Sequence, residues 1–216
     1  MSDDRSATPG SVIAVLGAES TGKTTLARGL HGGLARQGRR VALVEEYLRE
    51  FCLREGRTPR HAEQAGIARE QSRRIAEAAR THEFVVADTT ALMVAIYSQL
   101  LFDDDSLLAD AVAEQSRYRL TLLTALDLPW AADGFIRDGD HVRAPVDALL
   151  RQALRDGQVE CAVVSGSGAH RLAHAERALA AALRPAPVTE PRWRHLCAEC
   201  GEPDCERHLL RRSGLS

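Results

Sequence analysis

Lysine is almost missing from this sequence: of its 28 basic residues only Lys23 is a lysine, and all the others are arginine. A genome biased toward arginine codons explains the arginines and leaves the exception to be accounted for. An excess of charge of either sign is also missing. The formal net charge of -2 provides no global basic field, which argues against a nonspecific nucleic-acid binder. No apolar run approaches the roughly 20 residues that cross a bilayer. The polar start, residues 1–10, lacks the apolar core of a signal peptide. The expectation is a cytoplasmic protein with no membrane partner. Internal repeats are absent, and the five cysteines are an odd number for a disulfide framework. What is present is 216 residues, 44% hydrophobic and 27% charged, enough for one α/β domain with a small appendage.

Residues 12–16 form a short continuous apolar run, the mark of a strand buried on both faces of a parallel sheet. A Gly-rich turn follows, then a helical stretch over 24–37 closed by Gly38, then a second β-rich run over 41–44. Further apolar runs at 84–88, 118–124 and 159–165 alternate with Ala-, Arg- and Glu-rich stretches of helical composition. Helices are expected over 47–54, 60–82, 90–101, 106–115 and 168–183. The alternation predicts an α/β fold with a parallel sheet and helices on both faces. Residues 127–144 lack periodicity and read as a lid, with its outer bounds at about 127–145. Pro185, Pro187 and Pro191 read as a linker to a Cys-rich tail. The expected organisation is a polar tail over 1–10, a catalytic domain over 11–184, and linker plus tail over 185–216.

Gly17-Ala18-Glu19-Ser20-Thr21-Gly22-Lys23-Thr24, followed by Thr25, fits G-x-x-x-x-G-K-[ST] between the first strand and the first helix. In that context the glycines permit a backbone wrap whose N–H groups face phosphate oxygens. Lys23 reaches the terminal phosphates and the Thr24 hydroxyl ligates Mg²⁺. A compact ammonium on a flexible stem suits such a cradle better than a guanidinium fork, which gives the lone lysine its reason.

Asp88 ends the third apolar run. Ligands gather at the carboxyl ends of parallel strands, so it is placed to hold Mg²⁺ or orient a hydroxyl, or else to cap the next helix. Glu45 and Glu46 end the second run in the same way, and Glu46 competes with Asp88 as the base for an attacking alcohol. Arg49 follows nearby. In the lid stretch, Trp130 offers a flat face for a planar or cationic ring, or fills a hinge. Arg137 and Arg143 are candidates for closing over a transferring phosphate.

Residues 17–25, Glu46-Tyr47-Leu48-Arg49-Glu50-Phe51, Asp88-Thr89-Thr90 and the Leu-Pro-Trp-x-x-Asp-Gly at 128–134 together resemble the ribosylnicotinamide kinase domain of the NadR family, in order over residues 12–183. The phosphate loop is widely shared, whereas the second and last blocks are far more specific. The resemblance implies a three-layer P-loop kinase fold with a five-stranded parallel sheet in the order 2-3-1-4-5. It implies transfer of the ATP γ-phosphate to the 5′-hydroxyl of nicotinamide riboside, a step of NAD salvage. It also implies Trp130 stacked on the nicotinamide ring, with Glu46, Arg49 and Asp88 around the ribose and metal and with Tyr47 and Asp133 among the substrate residues. Arg137 and Arg143 would belong to the lid. Gln64 and Gln71, on one helix face, would line the nucleoside pocket or face solvent. The helix-turn-helix and the His-x-x-His adenylyltransferase domain of full-length NadR have no counterpart here, so neither of those activities is expected.

Cys197, Cys200, Cys205 and His208 read C-x₂-C-x₄-C-x₂-H, a ligand set of the right softness for tetrahedral Zn²⁺. Acidic neighbours such as Glu199 and Asp204 argue against RNA binding by this segment. The expected ligands are therefore ATP, Mg²⁺, a nucleoside-like acceptor and a structural Zn²⁺. A second reading of the same residues is an ATP-binding switch or regulatory ATPase that signals through the Cys-rich tail. The oligomeric state is not legible.

Overall fold

The structure is a computed structural model that describes residues 9–131 and 140–184. The chain separates into two units, Met1–Ala182 and Leu183–Ser216, and the fold below is that of the first. Five strands, β1 (Ser11–Leu16), β2 (Val41–Val44), β3 (Phe84–Asp88), β4 (Leu120–Thr124) and β5 (Cys161–Val164), form one sheet in the order β2-β3-β1-β4-β5. Every pairing is parallel. β1 lies at the centre, in register with β3 (Val15 opposite Asp88) and with β4 (Leu16 opposite Leu123). Its run is apolar on both faces because both are covered: Ile13, Ala14, Val15 and Leu16 are fully buried.

The described residues form seven α-helices, the first six between strands and the last after β5: α1 (Lys23–Arg36), α2 (Tyr47–Glu55), α3 (Gln64–Thr81), α4 (Ala91–Phe102), α5 (Leu108–Gln115), α6 (Arg143–Asp156) and α7 (Gly168–Ala182). α1 packs with α7, while α3, α4, α5 and α6 pack among themselves, giving two helical layers with the sheet between. The order and the layers expected for a P-loop kinase fold are therefore observed. α4 is the middle of its layer and is apolar all round, with Ala91 to Ile96 buried. A helix without a polar face is stable only when covered on every side. Thr90 starts it, its hydroxyl accepting from the Leu92 N–H at 3.3 Å.

The expected elements all occur, with ends displaced by a few residues. The larger difference concerns the segment read as a lid. Asp140–Val142 is a 3₁₀ turn and Arg143 opens α6, so the irregular stretch ends before residue 140. Pro145 lies in the first helical turn, where its missing N–H breaks no helical hydrogen bond, so it does not delay the helix.

No described helix is long and apolar enough to cross a membrane. Leu92 is fully buried in the cluster that joins α4 to β1, β4 and α6. Leu92→Ala is expected to lower unfolding free energy by about 2–5 kcal/mol, readable as a shifted urea midpoint with an unchanged slope.

Candidate active site

The turn after β1 wraps at the carboxyl edge of the sheet. Gly17 has φ +146°, and a Cβ there would meet the Thr124 Oγ1 at 2.0 Å, so only glycine lets the loop pass so close to β4. Gly22 has φ +78° and hands the loop to α1, which begins at Lys23. Between them the Thr21 hydroxyl donates to the Ala18 carbonyl at 2.8 Å and lies 2.7 Å from Thr124 Oγ1. Thr124 Oγ1 in turn donates to the Leu16 carbonyl at 3.0 Å. The Lys23 ammonium donates to the Ala18 carbonyl at 2.8 Å. Ser20, Thr21, Gly22, Lys23, Thr24, Thr25 and Arg49 line a cavity of about 250 Å³. α2 thus delivers Arg49 to the phosphate loop.

Asp88, at the end of β3, is 2% exposed. Burial pushes its carboxyl above the ordinary range, while a hydrogen bond from Thr24 and the positive charges of Lys23, Arg49 and Arg28 work in the opposite direction. Its Oδ1 is buried without a hydrogen-bond partner among the described residues. Thr89, the next residue, is β-branched yet holds φ +68°, a strained conformation that turns the chain directly after the carboxylate. Glu45 pairs at 2.8 Å with Arg28 in solvent. Glu46 is 3.7 Å from Arg49 at the start of α2. Glu19 of the phosphate loop is buried as well.

Gln71 is 1% exposed, and its amide is engaged by backbone groups. The Oε1 accepts from the Tyr47 N–H at 2.8 Å, and the Nε2 donates to the carbonyls of Glu45 at 3.4 Å and Thr89 at 3.3 Å. Of the two readings for Gln71, the solvent-facing one is corrected: the buried amide staples the start of α2 to the ends of β2 and β3. Arg74 helps, stacking 4.4 Å over the Tyr47 ring and pairing with Glu50. Gln64 is buried with its Oε1 lacking a partner among the described residues, so its carbonyl remains available to a donor.

Leu128 to Ala131 lie against the phosphate loop. The Ser20 hydroxyl donates to the Ala131 carbonyl at 2.8 Å, and Leu128 approaches Gly22. Trp130 is half-buried, and its Nε1 has no partner among the described residues. Arg143 is not an arm of a lid. It is buried at the start of α6, donating to the Leu128 carbonyl at 2.8 Å and to Asp140 at 3.1 Å, so it anchors the root of the segment. Asp133, Arg137 and the expected zinc ligands Cys197, Cys200, Cys205 and His208 lie outside the described residues. Among the described residues no group of three or more His, Cys, Asp or Glu side chains is placed to hold a metal.

Sequence reasoning missed Thr124, Asp127 and Arg171. Arg171 is 4% exposed and donates to the Thr21 carbonyl at 3.0 Å. Its carboxylate partner is Asp127. One more arginine in an arginine-rich chain carries no signal, and the only hint was its place just after the turn that follows β5.

A glycine-rich loop between a central parallel strand and a helix, with a lysine in the loop and a buried carboxylate on the adjacent strand, defines a P-loop protein. A family model described as an AAA domain matches residues 12–171, and the chain belongs to that family. Among solved structures, the chain is similar to "NadR protein in complex with NR" (21% identity, TM-score 0.67, 82% of this chain and 52% of that one). It is also similar to "NadR protein in complex with NAD and AMP-PNP" (19%, TM-score 0.65, 83% and 52%). A thymidylate kinase from Ehrlichia chaffeensis matches at 15% identity and TM-score 0.57, over 81% of this chain and 100% of that one. A deoxyadenosine kinase from M. mycoides matches at 12% and 0.55, over 79% and 99%. These are likenesses of fold, and the chain spans about half the length of the NadR chains. No curated protein sequence matches it.

Because the folded protein holds the Asp88 proton more tightly than the unfolded chain does, ionising Asp88 costs stability as pH rises through the window between the two pKa values. Without nucleotide or Mg²⁺, Asp88→Asn is expected to melt at a higher temperature than the wild type at pH 7. The gain should vanish toward pH 3, below the unfolded carboxyl pKa of about 3.9. Equal melting temperatures at pH 7 would contradict the raised pKa.

Proposed function

We propose that residues 11–184 form an ATP-dependent kinase that phosphorylates the 5′-hydroxyl of a nucleoside-like acceptor, nicotinamide riboside first among them. The observation that carries this reading is Asp88: a buried carboxylate with an open oxygen, beside Thr24 and Lys23 of the phosphate loop. The fold shared with NadR and two nucleoside or nucleotide kinases supports it, as does the order of the four sequence blocks.

The loop N–H groups and Lys23 hold the β- and γ-phosphates, with Lys23 exchanging the Ala18 carbonyl for phosphate oxygens. Thr24 and Asp88 form an oxygen-donor pair that fits Mg²⁺. The metal, when bound, neutralises phosphate charge. The acceptor's 5′-oxygen attacks the γ-phosphorus as the bond from that phosphorus to the β,γ-bridging oxygen breaks. ADP leaves, and the acceptor proton passes to a carboxylate, for which Glu46 and Asp88 are the two candidates. Arg49 lines the same cavity and offsets charge on the transferring group. Trp130 and Gln64 serve the base of the acceptor, one with a flat face and an N–H, the other with a carbonyl oxygen.

Incubation with Mg·ATP and a panel of nucleosides that includes nicotinamide riboside should give one product heavier by a single phosphate. Lys23→Met should retain the fold and lose that product by a factor of about 10³ or more. Glu46→Gln should lower kcat without altering the Mg²⁺ requirement, whereas Asp88→Asn should alter both. If ATP binds but no nucleoside gains phosphate, the chain is a nucleotide-dependent switch instead.

A further inference from the structure

Arg171 has a set of contacts that the phosphate-loop motif does not predict. It lies in the first turn of α7 and is almost fully buried. Nη1 donates to the Thr21 carbonyl at 3.0 Å and to the Val164 carbonyl at 3.4 Å. Nε donates to the Gly166 carbonyl at 2.7 Å, and Nη2 pairs with the Asp127 carboxylate. The second oxygen of Asp127 accepts from the Gly166 N–H at 2.6 Å. One buried guanidinium therefore ties together the phosphate loop, the exit of β4 and the turn after β5. Five N–H groups in a fixed planar fork can do this, and an ammonium cannot reproduce it.

The contact with Thr21 has a directional consequence. In a trans peptide the carbonyl and the following N–H point in opposite directions. With the Thr21 carbonyl held by Arg171, the Gly22 N–H must point away from Arg171, and Thr21 and Gly22 both line the phosphate-loop cavity. The other end of the network fixes the segment that begins at Asp127. Leu128 approaches Gly22, its carbonyl accepts from Arg143, and Ala131 bonds Ser20. The phosphate loop and the chain after β4 are thus tied at Arg171, at Leu128 and at Ala131.

We propose that Arg171 and Asp127 are a positioning pair for the triphosphate: they set the Thr21–Gly22 peptide so that its N–H faces the phosphates, and they couple that peptide to the segment after β4. The proposal rests on the reading of this loop as a nucleoside triphosphate site. Arg171 acts through Thr21 and touches no reacting atom.

The test uses the full chain with Arg171→Lys, Asp127→Asn and the double variant. Each is checked for native circular dichroism, for Kd of Mg·ATP by calorimetry at a temperature well below its melting midpoint, and for KM and kcat with the acceptor found for the wild type. Asp127→Asn is the milder change, since Asp127 is partly exposed and Asn keeps an acceptor for the Gly166 N–H. Both single variants are expected to fold and to bind Mg·ATP about tenfold more weakly or worse. The KM for ATP should rise in step, and kcat should change by less than about threefold. The double variant should bind no more weakly than Arg171→Lys alone, because the two residues act as one unit. Folded variants with wild-type affinity would overturn the pair, and so would loss of the native fold in both, which would assign it to folding alone. Failure of the wild-type protein to bind Mg·ATP would instead overturn the reading of the loop as a nucleotide site.

Discussion

The carboxyl edge of this sheet depends on one close approach, that of the phosphate loop to the end of β4. Gly17 passes so near Thr124 that no side chain fits between them, and the Thr124 hydroxyl uses the proximity to join the Leu16 carbonyl to the Thr21 side chain. The loop is thereby fastened to the strand beside it as well as to β1 and α1, its neighbours in the chain. Arg171 fastens the same loop from the side of β5. Arg171 is buried and Asp127 partly exposed, so it is the loss of Asp127 that would leave a desolvated charge without its partner. The loop is therefore held by contacts from outside its own eight residues as well as by those within it.

A second set of contacts positions the opposite wall. Gln71, in the middle of α3, satisfies the first N–H of α2 and two carbonyls at strand ends, all groups that the end of a helix or strand leaves without a partner. Its burial would be costly if any of these bonds were missing. Arg74, one turn further on, holds the outer face of α2 through Tyr47 and Glu50. α2 is short, and a nine-residue helix is marginal without tertiary support. These two side chains support the helix that carries Arg49 to the cavity.

The parts legible in the sequence were those governed by local rules. Continuous apolar runs marked β1 and β3, because a strand covered on both faces has no polar side to show. The phosphate loop was legible because its glycines, lysine and threonine each meet a separate local requirement. The side chains that act over long distances in the chain were not legible. Gln71 was placed on the correct helix face, but spacing does not reveal whether a buried amide meets a ligand or a backbone, and here the backbone of β2, β3 and α2 claims it. Arg143 was read as mobile because its segment lacked periodicity, yet Pro145 is compatible with a helix start, and the Leu128 carbonyl draws the guanidinium inward. Arg171 and Asp127 are 44 positions apart, and nothing local marks either one.

The central place of β1 also governs how the molecule comes to have its site. Its two neighbours, β3 and β4, lie far along the chain, so its pairings close long loops and belong to the slow class of folding contacts. The phosphate loop precedes β4 and α7 in the chain, so it lacks its Thr124 support until β4 has joined the sheet and its Arg171 support until α7 has docked. A phosphate ligand therefore recognises the finished domain and not a partly folded one. By mass action, binding adds to the stability of the native state alone.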